Sequence, residues 1–173
     1  MKRAFSSSLG VCFMVILLGF FTSAYAGEYR TVTGPCDFVF PRDHGAHPDF
    51  RTEWWYYTGN LDTPAGKRYG FQLTFFRTQI AEPDSEKTWP HNPSAWRTKD
   101  LFLAHAALSD LNAKRFHLDE RVARAGAGLA GVTQEKEATR IFIGNWLALI
   151  DPGSHRLKAP ADEFSMDLFC KAA

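Results

Sequence analysis

A carboxyl group stands directly before two tryptophans and two tyrosines in the run Glu53-Trp-Trp-Tyr-Tyr-Thr-Gly-Asn60. A carboxylic acid walled by aromatic rings loses hydration, and desolvation raises its pKa, as a proton donor requires. Glu53 is therefore the first acid–base candidate; the alternative is a surface position or an ion pair with Arg51 or Arg77. Asp43, His44 and His105 are further acid–base candidates. His105 lies between alanines in Leu101-Phe-Leu-Ala-His-Ala-Ala-Leu-Ser109, where a hydrogen-bonded core histidine is the alternative. Asp43, His44 and His47 are suitable metal-ligand types, but their spacing fits no strong metal motif. A turn held by polar side chains explains them better, and no metal or cofactor is expected. Arg77 ends an aromatic run and could bind a carboxylate or anchor the loop after it. No Gly-rich phosphate loop, nucleophile elbow or HExxH motif is present.

These side chains need strands to hold them. Arg68-Tyr-Gly-Phe-Gln-Leu-Thr-Phe-Phe-Arg77 alternates, with Tyr69, Phe71, Leu73 and Phe75 on one face and Gly70, Gln72 and Thr74 on the other. Pro64 and Gly66 mark a turn before it, so residues 53–60 and 68–77 read as a β-hairpin. In the first strand, alternation puts Trp54, Tyr56 and Thr58 on one face and Glu53, Trp55 and Tyr57 on the other. Either choice of inward face brings a Trp and a Tyr inside. Such rings suit a long apolar ligand, or else they fill the core. Residues 80–98 form a long Pro-rich loop, and residues 101–109 a third strand. A turn follows at 110–114, and a fourth strand begins at 115–118. The Ala/Gly-rich stretch 121–131 is ambiguous, residues 141–150 read as one strand, and 164–169 as the last. Short strands without helical periodicity predict an all-β sandwich or barrel.

Composition narrows the function classes. The 173 residues carry a net charge of +1, and Lys2 and Arg3 supply two of the positives. They precede the apolar run Leu9–Phe21 and the triplet Ala24-Tyr25-Ala26, the pattern of a secretory signal peptide cleaved after Ala26. The apolar run is too short to span a bilayer, so a membrane anchor is the weaker reading. Without Lys2 and Arg3 the 20 bases become 18 against 19 acids, a net charge of −1. No basic surplus is left to bind nucleic acid. The mature chain is expected in the periplasm or outside the cell, where Cys36 and Cys170 could pair.

The segment Asp43–Leu61, its partner Arg68–Arg77 and the stretch Ala104-His-Ala-Ala-Leu-Ser-Asp110 resemble the AttH and carotenoid 1,2-hydratase (CrtC) family, whose exported members are often labelled predicted secreted hydrolases. The resemblance covers residues 37 to 169. It implies a lipocalin-like antiparallel β-barrel, the first of two tandem domains, with an apolar cavity at or between them. Residues 27–173 would be that first domain, with the second expected beyond it and Cys170-Lys-Ala-Ala173 departing from strand character. The hydratase likeness implies acid-catalysed water addition across a carbon–carbon double bond. One group would protonate the alkene, aromatic faces would stabilise the cation, and a base would activate water. Glu53, His105, Asp43 and His44 are the candidates for those proton transfers. Trp54, Trp55, Tyr56, Tyr57, Phe71, Phe75 and Arg77 are the candidates for lining the ligand site. The implied partner is an apolar small molecule or lipid, with room for a peripheral membrane contact. A carrier of lipid without chemistry is the other reading.

Overall fold

A computed structural model describes residues 28–171. The first sheet is an antiparallel meander of β1 (Thr52–Asp62), β2 (Arg68–Gln79), β3 (Asp100–Asp110) and β4 (Arg115–Arg124). A second meander follows: β5 (Ala130–Glu135), β6 (Ala138–Ile143), β7 (Trp146–Asp151), β8 (Ser154–Pro160) and β9 (Ser165–Lys171). Within each sheet every strand pairs with its sequence neighbour, through short turns except for the long connection over residues 80–99 between β2 and β3. The all-β, lipocalin-like expectation holds. Among the described residues the two sheets share no strand pair and meet through side chains instead.

One hydrophobic core lies between the sheets. Leu73, Phe75, Phe102, Ala104 and Ala106 come from the first, and Ile141, Trp146, Ala148, Ile150, Leu157 and Met166 from the second. The Trp146 indole N–H donates to the Pro160 carbonyl at 3.0 Å, and the Arg121 guanidinium lies 4.6 Å from the centre of its ring. A buried tryptophan is thereby left with no unpaired donor.

Alternation explains most of the strand faces. β1 places Glu53, Trp55 and Tyr57 inward and leaves Trp54 and Tyr56 exposed. Tyr69, Phe71, Leu73 and Phe75 share the inner face of β2, as the sequence indicates. The expectation of one strand across residues 141–150 is corrected. Gly144-Asn145 turns the chain, Ile143 pairs with Trp146, and two strands result. Gly144 adopts a φ of +56°, a conformation open to glycine, so the apolar run folds back on itself. The ambiguous stretch 121–131 divides into the end of β4, a 3₁₀ turn at Gly126–Gly128 and the start of β5. Cys170 and Lys171 belong to β9, against the expectation that strand character stops before them. Both described cysteines are free thiols, so the Cys36–Cys170 bond is absent. The leader expected over residues 1–26 lies outside the described residues.

The lead-in before β1 is irregular, as expected, apart from a 3₁₀ turn at Arg42–His44. It is fastened to both sheets. The Trp55 indole donates to the His44 carbonyl at 3.0 Å, and the Gln134 amide of β5 donates to the Pro41 carbonyl at 3.0 Å.

Candidate ligand-binding site

A cavity of about 810 Å³ opens at the seam between β1 of the first sheet and β8–β9 of the second. Phe40, Pro41 and His44 of the lead-in form one wall; Tyr56, Tyr57 and Thr58 of β1, with Phe71 of β2, form another. The turn Asp151–Gly153, His155, Cys170 and Lys171 close the third side, and Glu137 sits at the rim. That volume is within the range of small-molecule sites. Rings cross it in sequence. Phe40 stacks on His44 at 4.3 Å, and His155 meets both His44 and Tyr57 edge-on, at 5.8 Å each.

Tyr57 and His155 form the polar centre. The Tyr57 hydroxyl and His155 Nδ1 are 3.2 Å apart, although the residues are separated by 98 positions in the chain. Burial raises the Tyr57 pKa above its ordinary value, with the nearby Cys170 adding to the effect. Burial lowers that of His155, His44 adds to the lowering, and Asp151 opposes it. Both causes favour the neutral forms.

The expected site residues fall into four places. Tyr56, Tyr57, Phe71 and His44 line the cavity. Trp55 and Phe75 belong to the interior: Phe75 is fully buried in the core, and Trp55 packs against it while holding the lead-in. Trp54 is 63% exposed on the outer face of the first sheet. Glu53, Arg77 and Asp43 lie in a charged cluster beneath the lead-in.

Arg77 organises that cluster. Its Nε donates to Glu53 Oε1 at 2.6 Å, one terminal nitrogen donates to Asp100 at 3.0 Å, and the other donates to the carbonyls of His47 and Phe50. Glu53 also accepts the His47 backbone N–H, and its Oε2 lies 3.0 Å from His47 Nδ1. The partner of Glu53 is thus Arg77, the alternative the sequence left open, and not an apolar wall. Asp43 accepts from the Val39 N–H and from the Arg42 guanidinium, which lower its pKa, the guanidinium most. Among the described residues no group of three or more His, Cys, Asp or Glu is placed to hold a metal.

His105 shares the outer face of the first sheet with Trp54. It occupies the outer face of β3, with Nε2 2.9 Å from Glu120 of β4 and its ring edge-on to Phe76 at 5.4 Å. Glu53 belongs to the inner row Glu53–Arg77–Phe102, so the two residues occupy opposite faces of one sheet. The sequence reasoning missed His155 and Cys170, because the polar stretch Ser154-His-Arg-Leu-Lys158 gave no link to β1. The Pro152-Gly153 turn signal before it was the available clue.

Two antiparallel sheets around one core, with a ring-lined cavity at their seam, define a protein of the lipocalin-like β class. The family model described as AttH-like matches residues 31–173, and the chain belongs to that family. The fold is similar to the crystal structure of a protein from Nitrosomonas europaea provisionally named an AttH, with a TM-score of 0.61 and 34% identity. That match covers 83% of this chain and 40% of the other, so the chain spans well under half the length of that relative. None of the curated proteins matches.

Proposed function

We propose that this AttH-like domain binds an apolar or weakly polar ligand, a lipid or isoprenoid, in the seam cavity. The observation that carries the reading is a cavity of about 810 Å³ walled by the rings of Phe40, Tyr57 and Phe71, with polar side chains, Tyr57 and His155 among them, in its lining. Binding without chemistry is favoured over hydration, because Glu53 is held by Arg77 and His105 lies on the far face of the sheet. The leader pattern supports a site outside the cytoplasm, and N-terminal sequencing of the exported protein is expected to begin at Gly27.

Titration with the apolar dye N-phenyl-1-naphthylamine tests the binding reading. Saturable binding is expected, lost in Phe71→Asp and kept in Trp54→Asp, since only Phe71 lines the cavity. Dye binding that survives Phe71→Asp but fails in Trp54→Asp would move the site to the outer sheet face and end the proposal.

A further inference from the structure

The long connection between β2 and β3 carries Trp89 and Trp96 and is fastened to the rest of the fold. Lys99 Nζ donates to Glu86 Oε1 at 2.6 Å, which ties the 3₁₀ turn Ser85–Thr88 to the returning chain. The Ala127 N–H donates to the Ala95 carbonyl at 2.6 Å. Gly126 lies so close to Trp96 that a β-carbon there would come within 2.8 Å of the Trp96 carbonyl oxygen. The turn between β4 and β5 therefore holds the Trp96 stretch in place. Between this connection and the end of β4 lies a second cavity of about 430 Å³, bordered by Ser85, Trp89, Trp96, Arg97, Thr98 and Arg124. It shares no lining residue with the seam cavity.

The lining holds two cations and no acid. The neighbouring acids are engaged elsewhere: Glu86 pairs with Lys99, Asp84 with Lys87 and Asp100 with Arg77, while Glu82 lies outside the lining. Among the described residues neither Arg97 nor Arg124 has a carboxylate partner. Two uncompensated positive charges beside one concavity favour entry of an anion. The Arg97 guanidinium lies 5.6 Å from the centre of a Trp89 ring. A cation over an indole face keeps its N–H edge available to an acceptor. Ser85 Oγ is buried and has no hydrogen-bond partner among the described residues, a cost that a ligand oxygen would remove. The two indoles add flat apolar surface beside these donors.

We propose that this second cavity binds a small aromatic anion, with its ring against Trp89 and Trp96 and its negative charge in the field of Arg97 and Arg124. A bare inorganic anion would leave the indoles uncovered, and a neutral ring would leave the two cations unanswered. The site is independent of the apolar-ligand reading of the seam cavity.

Isothermal titration of the purified chain at low ionic strength with 2-naphthoate and its neutral isostere 2-naphthamide tests it. Naphthoate is expected to bind saturably and about ten-fold more tightly than the amide, the gain of one charge-assisted hydrogen bond. Arg97 and Arg124 are exposed, so Arg97→Gln and Arg124→Gln should fold normally. Each is expected to cut the preference to within about three-fold. Trp89→Ala, checked for folding by circular dichroism, is expected to weaken both ligands and keep their ratio. Filling the seam cavity with N-phenyl-1-naphthylamine is expected to leave naphthoate affinity unchanged. Equal affinity for the two probes, or no binding of naphthoate, overturns the proposal and leaves the seam reading standing. Loss of naphthoate binding in the dye-filled protein moves the anion to the seam and also overturns it. A preference that survives both arginine variants overturns the assignment to Arg97 and Arg124, and unchanged affinities in Trp89→Ala overturn the indole wall.

Discussion

Arg77 Nε and Glu53 Oε1 lie 2.6 Å apart, and the guanidinium that makes this contact is 3% exposed. Its other donors reach Asp100 and the carbonyls of His47 and Phe50, so its partners come from the lead-in, β1 and β3. The lead-in that forms a wall of the cavity is thereby tied to β1 and β2 through one side chain. Removing one partner of such a pair strands the other in a dry environment. Arg77→Ala is expected to lower stability in urea melts by about 3–5 kcal/mol. Adding Glu53→Gln to Arg77→Met should recover part of that loss. A loss under about 1 kcal/mol would show that Arg77 is not the tie described.

Phe75 and Phe71 are neighbours on one face of β2 with different duties. Phe75 is completely buried, and Phe71 reaches the cavity. Phe75→Ala is expected to cost about 3–5 kcal/mol of stability. Phe71→Ala is expected to cost less and to weaken dye binding. Equal thermal shifts in the two variants, with equal dye affinity, would mean that the cavity wall and the core are not distinct.

The depressed His155 pKa has a definite sign in a stability profile. Above the ordinary value of 6.5 both folded and unfolded chains hold His155 neutral, and it contributes no pH dependence. As pH falls through 6.5, the unfolded chain takes up the proton first, so stability drops until the lowered folded value is passed. Denaturant melts between pH 7.5 and 5 should show a shallower decline in His155→Gln than in the unaltered protein. Parallel curves would remove His155 as a source of the slope.

The outer faces of the two sheets differ. On the first, the row Trp54–Phe76–Leu103–Val122 is apolar from edge to edge, with Trp54 63% and Val122 64% exposed, and Phe116 and Leu118 exposed further along. The second carries Arg140, Arg156, Lys158 and Asp167 between its apolar residues, with Arg156 and Asp167 paired at 3.0 Å. An antiparallel sheet with a wet face usually alternates apolar and polar, and an apolar patch of this kind attracts hydrophobic probes. Trp54→Lys with Val122→Lys is expected to reduce anilinonaphthalene sulfonate emission and self-association, while stability changes by only about 0.5 kcal/mol per site. Unchanged emission in a folded double variant would show that this face does not attract such probes.

The first sheet was readable because its strands are long and alternate cleanly. The Tyr69–Phe75 alternation fixed the inward face of β2, and Pro64-Ala-Gly66 fixed the hairpin. The second sheet was harder. Ile141–Ile150 is apolar on both sides of Gly144-Asn145, and that two-residue hairpin signal is outweighed by the continuous apolar run around it. β8 buries only Leu157 and Ala159, which alternate with exposed Arg156 and Lys158, too few apolar positions to mark a strand in the sequence. The site suffered from the same blindness at longer range. Tyr57, Tyr56, Phe71 and His44 were legible as aromatic or imidazole groups near one hairpin, and the structure does bring them together. His155 was not, because nothing local in sequence connects it to Tyr57 across 98 positions. Glu53 was legible in two ways, beside Trp54 and Trp55 or paired with Arg77, and the hairpin register that sets Glu53 opposite Arg77 selects the second.

Gly59 pairs with Phe71 across the hairpin, and a β-carbon built on Gly59 would come within 2.7 Å of the Phe71 ring edge. The ring therefore occupies the space a side chain at position 59 would fill. Gly59 is not itself among the residues lining the cavity, yet it governs how far Phe71 stands back from the opening. The bore of the cavity is thus adjustable from the strand behind its wall: one methyl group at position 59 would displace the Phe71 ring without replacing any residue of the cavity lining.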